Sequence, residues 1–361
     1  MIKTFELVHG KFRSIVKTPK RVKLRDYGEG IIKSLPNTSF RMKLFEEYKN
    51  IDFPVWRRLK MHGLSLPGEP PIAKLQTNAK SIHECRKLKI LKEYDFEGSD
   101  RKYVLLADTF HTSGICFDGS GEISVRMEGN SIDTNMFIID GIAKINRTFD
   151  GNFRVTNSRF IVKRDSKLYL EDISFVSGVG IENILFYLGE NATVEYNELS
   201  VSEGKVAKAV FVVGEKDSKM IIKPRLASKG IVDVLYFSRS NVKNTVDVNG
   251  HGVSAGSGKI IFRGVMDIKK GATGGNYSEK FRTILLNENS TFEAIPSLYV
   301  EENELSAQHG ASSSPIPDNE LFYLMSRGFD LYESKTMIAQ GFLLDISFSV
   351  EAEEFVKRVL N

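Results

Sequence analysis

Two cysteines, one tryptophan and no apolar run of membrane-spanning length set the first limits on this chain of 361 residues. Cys85 and Cys116 are too few for a disulfide framework and are expected as packed, reduced thiols. They also lack the C-x-x-C spacing and the number of thiolates that a metal–sulfur centre normally wants. Without ~18 consecutive apolar residues, no segment is expected to cross a bilayer as a helix. The opening MIKTFELVHGKFR holds no apolar core long enough for a signal peptide, so the expectation is a soluble, cytoplasmic protein. An excess of one charge is missing too. Fifty basic against 46 acidic residues leave +4, which does not call for nucleic acid as a partner. The one basic concentration, PKRVKLR at 19–25, reads as a solvated surface segment rather than a phosphate-binding arm.

What is present falls into three sections: 1–100, 101–316 and 317–361. The first mixes basic residues with helical spacing. FRMKLFEEYKNIDFPVWRRLKMHGL (40–64) sets Leu44, Tyr48, Ile51, Trp56 and Leu59 near a 3.6-residue period, with Pro54 expected to break or restart the helix. SLPGEPPIA (65–73) is a rigid turn or linker, and SIHECRKLKILKEY (81–94) a second, weaker helix pattern. From 101 to 316 short alternating runs recur between Gly, Asn, Asp and Ser: VLLAD, EISVRM, RFIVK, ATVEY, AVFVV, KMIIK, KIIF, RTILL. That pattern is all-β. Internal echoes, LGENATVE with LNENSTFE and DSKL with DSKM, repeat a polar turn followed by a strand. Such repeats suggest a solenoid of the parallel β-helix kind, with a sandwich or barrel as the competing architecture. After Pro315 the pattern turns helical again. Asp318 or Asn319 can cap a helix start, and Gly328 sits where a left-handed end is wanted. LYESKTMIAQGFLLDI (331–346) and EAEEFVKRVL (351–360) follow, the latter acidic at its start and basic at its end.

Several motifs invite chemistry and carry little. GVSAGSGK (252–259) is one residue too long for a phosphate loop, and Ile260 stands where Ser or Thr would bind magnesium. His83 and Cys85 point to different sides of a helix. Asp133, Asp140 and Asp150 could supply paired carboxylates or a calcium site, as in β-helical carbohydrate-active enzymes (lyases or glycosidases), but their spacing is irregular. His309, held between small residues in SAQHGASSS, is by itself most simply a structural or exposed histidine.

Taken together, GVSAGSGKIIFRGVMDIKKGA (252–272), TILLNENS (283–290), AQHGAS (307–312), ELFYLMSRGF (320–329) and the Gly341-Phe342 step resemble the C-terminal part of the SufB/SufD family, components of an iron–sulfur cluster assembly machine. The resemblance implies a mainly β fold: a right-handed parallel β-helix core between an N-terminal α-rich section and a short C-terminal helical domain. It implies a non-enzymatic scaffold subunit that pairs through the β-helix with a SufB-like paralogue or a second copy of itself. A SufC-type ABC ATPase would bind at Leu321, Phe322, Tyr323, Arg327 and Gly328. His309 falls on the family's motif histidine, flanked here by Gln308 and Gly310 in the SufD manner rather than by acids. The implied cluster or interface site holds His309, Ser290 and Glu293, with His309 a possible iron ligand. Serine and lysine stand near the SufB-type cysteine positions, at Ser290 and Lys280. Any iron or iron–sulfur cluster is therefore expected to be transient, with no cofactor bound stably.

Overall fold

The structure is a computed structural model that describes residues 2–8, 11–17, 25–85, 88, 91, 93–94, 96 and 99–360. Residues 19–24 of the basic stretch lie outside the described residues. The strands β1 (Ile2–Val8) and β2 (Lys11–Lys17) pair antiparallel with each other. Helices α1 (Glu29–Lys33) and α2 (Thr38–Tyr48) follow. Helix α2 stops well before Pro54. Beyond that proline the chain forms a small hairpin, β3 (Val55–Trp56) and β4 (Met61–His62), so the helical period read through Leu59 does not continue past the proline. Two short strands come next, β5 (Lys74–Thr77) and β6 (Lys80–Ser81). The helix expected at 81–94 is a 3₁₀ turn over Ile82–Glu84, and its remainder lies partly outside the described residues.

Helix α3 (Arg101–Phe110) corrects a second expectation, since VLLAD belongs to it and not to a strand. Every residue from Lys102 to Phe110 is buried, Lys102 and Asp108 included, so no face of the helix meets solvent, and its short VLLAD run reads equally as a strand. Asp108 is held by Arg159 (2.6 Å), and Asn157 donates to both Asp108 and the Val104 carbonyl, which pins α3 to the β body.

The β body is a parallel solenoid of about seven coils. Its strands are β7 (Ile115–Glu128), β8 (Ser131–Val162), β9 (Lys167–Leu188), β10 (Thr193–Ser202), β11 (Lys205–Gly214), β12 (Lys219–Ser228), β13 (Ile231–Ser240), β14 (Thr245–Ser254), β15 (Lys259–Ile268), β16 (Asn276–Leu285), β17 (Thr291–Val300) and β18 (Ser306–Ser314). One wall runs β9–β10–β12–β14–β16–β18 and the other β9–β11–β13–β15–β17, each in parallel register. The parallel β-helix expectation is thus borne out. Inward positions on both walls form one apolar column in which rings stack coil on coil, as in Phe137–Phe160 (4.7 Å) and Phe160–Phe186 (4.9 Å).

The turn joining the two walls sets a strict limit on side chains. Gly178, Gly204 and Gly230 stack at this corner in successive coils, and a Cβ on Gly204 would lie 1.8 Å from the Gly178 carbonyl oxygen. Gly204→Ala is expected to lower stability by about 1–3 kcal/mol through forced backbone displacement. A thermal melt checks this, and an unchanged midpoint would contradict it.

Both outer faces are covered. The N-terminal helices and α3 cover one, with Leu44, Tyr48, Leu105 and Phe110 packing toward Val155 and Ile181. The C-terminal helices cover the other: α4 (Asp318–Met325), α5 (Leu331–Leu343) and α6 (Glu351–Leu360). There Phe355, Val356 and Val359 meet Phe175, Leu199 and Val201. Gly328 has φ 99°, the left-handed end expected after α4. Neither Asp318 nor Asn319 caps α4, because Pro317 occupies that position. A complete capping box, Asp330 with Glu333, starts α5 instead.

Candidate functional site

The solenoid ends on an open rung. Strand β18 pairs with β16 on one side only, and most of its residues are exposed. His309 lies on this rung and is exposed. Its register partner one coil below is Glu279. In parallel register, paired side chains point the same way about 4.8 Å apart. Glu279 faces the interior, against Gly264, whose missing Cβ leaves room for the carboxyl. The register therefore sets His309 one coil above Glu279, at the open end of the interior.

Glu279 is the residue that sequence reasoning missed here. It is 1% exposed, and its Oε2 has no hydrogen-bond partner. Burial pushes its carboxyl up to about 8. A void of about 10 Å³ beside it, lined also by Tyr236, Ser238 and Met266, has room for roughly one water. Flanked by Ser278 and Lys280, Glu279 reads in the sequence as one more surface acid.

The other two members of the expected site lie elsewhere. Ser290 is buried in the turn before β17, its hydroxyl donating to the Ser254 carbonyl (2.9 Å). Glu293 points outward from the opposite wall, where it holds Lys259 (2.7 Å) and Arg58 (3.2 Å). Among the described residues no three His, Cys, Asp or Glu side chains converge as a metal centre.

A second region is built by α4 and α5. Phe322 is 74% exposed and Tyr323 58%. Met325, Phe329, Leu331, Tyr332 and Met337 are exposed as well, a concentration of large apolar side chains on one appendage. Arg327 lies over the Tyr323 ring at 5.3 Å. The appendage grips the solenoid where α5 ends: Asp345 pairs with Arg225 on β12 (2.6 Å), and Phe342 stacks on His251 of β14 (4.2 Å between ring centres). The His251 Nε2 accepts from Arg282 (2.9 Å) and its Nδ1 meets the Phe342 carbonyl (3.0 Å), which assigns a neutral imidazole protonated at Nδ1. Burial lowers the His251 pKa, in agreement.

A third feature fills the solenoid's lower interior. Asp133, Arg154, Glu182, Lys208 and Glu198 form a continuous buried chain of ion pairs at 3.0 to 3.5 Å, extended by the Tyr236 hydroxyl donating to Glu198 (3.0 Å). Arg147 and Asp172 form a second pair (2.5 Å) beside it. All occupy inward positions that alternation assigns to apolar side chains.

The motifs that carried little chemistry are placed accordingly. GVSAGSGK runs from β14 through a tight turn into β15, with no helix to present a phosphate site. Asp133 sits in the buried chain, Asp140 pairs with Lys163 (2.7 Å) and Asp150 with Arg358 (2.8 Å), so the three form no catalytic carboxylate pair. Cys85 and Cys116 correct an expectation. They are joined as a disulfide, with Cα atoms 5.7 Å apart, because pairing of β6 with β7 brings together residues 31 apart in sequence. No described helix is long and apolar enough to cross a membrane.

Comparison with known proteins bears out the resemblance. Residues 225–342 match the SufBD core domain of the SUF system for FeS cluster assembly. The iron–sulfur cluster assembly protein SufD of Bacillus subtilis (strain 168) is 32% identical over 111 residues, 31% of this chain and 25% of that protein. SufB of the same organism is 26% identical over 181 residues, 46% of this chain and 38% of that protein. An iron–sulfur cluster assembly SufBD family protein of Staphylococcus aureus (strain USA300) is 32% identical over 184 residues, 47% of this chain and 36% of that protein. The chain thus spans about a quarter to two-fifths of the length of these relatives.

Proposed function

We propose that this chain is a SufD-like, non-enzymatic subunit of an iron–sulfur cluster assembly complex, driven by a SufC-type ABC ATPase. The observation that carries the reading is the apolar face of α4 and α5, gripped to the solenoid by Asp345–Arg225 and Phe342–His251. A face of that size, exposing Phe322 and Tyr323, suits a protein partner. Its grip on β12 and β14 gives the partner's motion a short path into the β wall. The open β18 rung offers a second surface, on which a SufB-like paralogue or a second copy adds a strand edge.

In this reading His309, one coil above Glu279 on that rung, ligates iron or a nascent cluster as passing cargo. Because Ser290 and Lys280 carry no thiol and Glu293 faces the other way, further ligands come from the paired subunit. The working compartment in this reading is the cytoplasm, where the ATP consumed by such an ATPase is available. The domains of this reading are the α-containing section 1–100, the core 101–316 and the docking helices 317–361.

Titration calorimetry against the SufC-type ATPase of the same source tests the proposal. Wild type is expected to bind with a Kd of about 1 μM or tighter, and the double change Phe322→Asp/Tyr323→Asp to lose at least about a hundredfold. Both substituted side chains are exposed, so circular dichroism is expected to show an intact fold. A well-folded wild type that does not bind the ATPase overturns the mechanical reading.

A further inference from the structure

A cavity of about 570 Å³ lies between the β3–β4 hairpin and the outer face of the solenoid, within the size range of small-molecule sites. Its floor is hollowed at Ala207 and Ala209, small residues where the neighbouring strands carry Ile181 and Leu235. One wall is aromatic: Trp56 lies against Tyr103 with ring centres 4.7 Å apart. The indole N–H of Trp56 is held by Asp100, which fixes the ring and engages the carboxylate.

The charges around the cavity are not balanced. Asp100 is taken by the indole, and Asp233 is taken by Arg263 (2.6 Å). Arg57 remains at the mouth, exposed, on the turn that joins β3 to β4, with Arg58 beside it shared with Glu293. The Arg57 carbonyl accepts from the Lys60 N–H (3.0 Å), with Lys60 in the left-handed region at φ 52°, so the turn is tight. Arg58 also reaches Glu293 (3.2 Å), and the Lys205 ammonium donates to the Lys60 carbonyl (3.0 Å), so the hairpin is tied to the β wall at two points.

We propose that this cavity binds a small organic anion: a flat, apolar ring system on the alanine floor beside Trp56, with one carboxylate, sulfonate or phosphate facing Arg57 and Arg58. The two halves of the cavity demand both properties at once. An apolar body without charge leaves the Arg57 guanidinium unused, and an inorganic anion leaves the aromatic wall and floor wet. The inference is independent of ATPase docking and of the His309 rung, which lie on other elements.

The test uses the full chain and two fluorescent probes, 8-anilinonaphthalene-1-sulfonate and its uncharged analogue N-phenyl-1-naphthylamine. One sulfonate per chain is expected, with the uncharged probe about fivefold weaker. Ala207→Trp, which fills the floor, is expected to weaken both probes by about tenfold or more. Arg57→Glu, at an exposed position, is expected to weaken only the sulfonate, by about fivefold. Phe322→Asp/Tyr323→Asp should leave both titrations unchanged, which separates this site from the exposed face of α4 and α5. Should Ala207→Trp fail to fold, the Arg57→Glu comparison between the two probes still decides. Absence of sulfonate binding, or binding indifferent to Arg57→Glu, overturns the proposal.

Discussion

Lys208→Met is expected to destabilise the folded chain by about 3–5 kcal/mol, although methionine fits the available volume and the site is 2% exposed. Among the described residues, the lysine is the one cation paired with Glu198. Its ammonium stands 3.0 Å from Glu198, 3.3 Å from Glu182 and 3.3 Å from the Ser200 hydroxyl. Burial alone would lower its pKa, yet Glu198, Glu182 and Asp172 together outweigh that and hold it above the ordinary value. With the ammonium gone, Glu182 keeps Arg154, whereas Glu198 keeps only the Ser200 and Tyr236 hydroxyls. An uncompensated buried carboxylate is the costly state, not the loss of the pair itself. The double change Lys208→Met/Glu198→Leu should therefore recover most of the loss. Urea unfolding at pH 7.5 measures both. A single mutant within about 1 kcal/mol of wild type would show that water reaches this interior and screens the charges.

The same chain of charges marks where sequence reasoning fails. The coils were legible because turn chemistry repeats with them. Asp165, Asn191 and Asp217 all adopt the left-handed region, at φ 57–58°, and each closes the turn two residues before a new strand. Asp and Asn tolerate that conformation better than most residues, which is why DSKL and DSKM echo one another. The Asn191 amide even donates to Asp165 one coil below (3.1 Å). The C-terminal helices were legible too, from period, Gly328 and the charge gradient of α6. Inward Arg147, Asp172, Glu198 and Lys208 were not, because alternation assigns a charged residue to the outside, and only the stack of coils supplies the partners that make burial tolerable. Helix α3 hid because its short apolar run, buried together with Lys102 and Asp108, reads equally as a buried strand. The candidate site divides along the same line. The α4 motif and His309 were visible as residues, whereas Glu279 became visible only once β16 lay beneath β18 and Gly264 opened space beside it.

Glu279 supplies the second large effect, with the opposite sign. Its folded-state pKa of about 8 lies above the ordinary 4.5, so the folded chain holds a proton that the unfolded chain has released. The stability contributed by this neutral carboxyl is complete below pH 4.5 and is lost as pH rises through 8. At about 1.4 kcal/mol per pKa unit the full excursion has a ceiling of roughly 5 kcal/mol, and water entering the adjoining void lowers it. Glutamine keeps the shape and never ionises. Glu279→Gln is therefore expected to match wild type near pH 5 and to exceed it by about 2–5 kcal/mol at pH 8.5. Urea titrations of both proteins at pH 5, 6.5 and 8.5 measure the difference, in which titrating groups remote from Glu279 cancel. Parallel stability curves would mean that Glu279 stays ionised in the fold. In that case an unseen donor satisfies its Oε2, and the open end of the solenoid is wetter than its packing indicates.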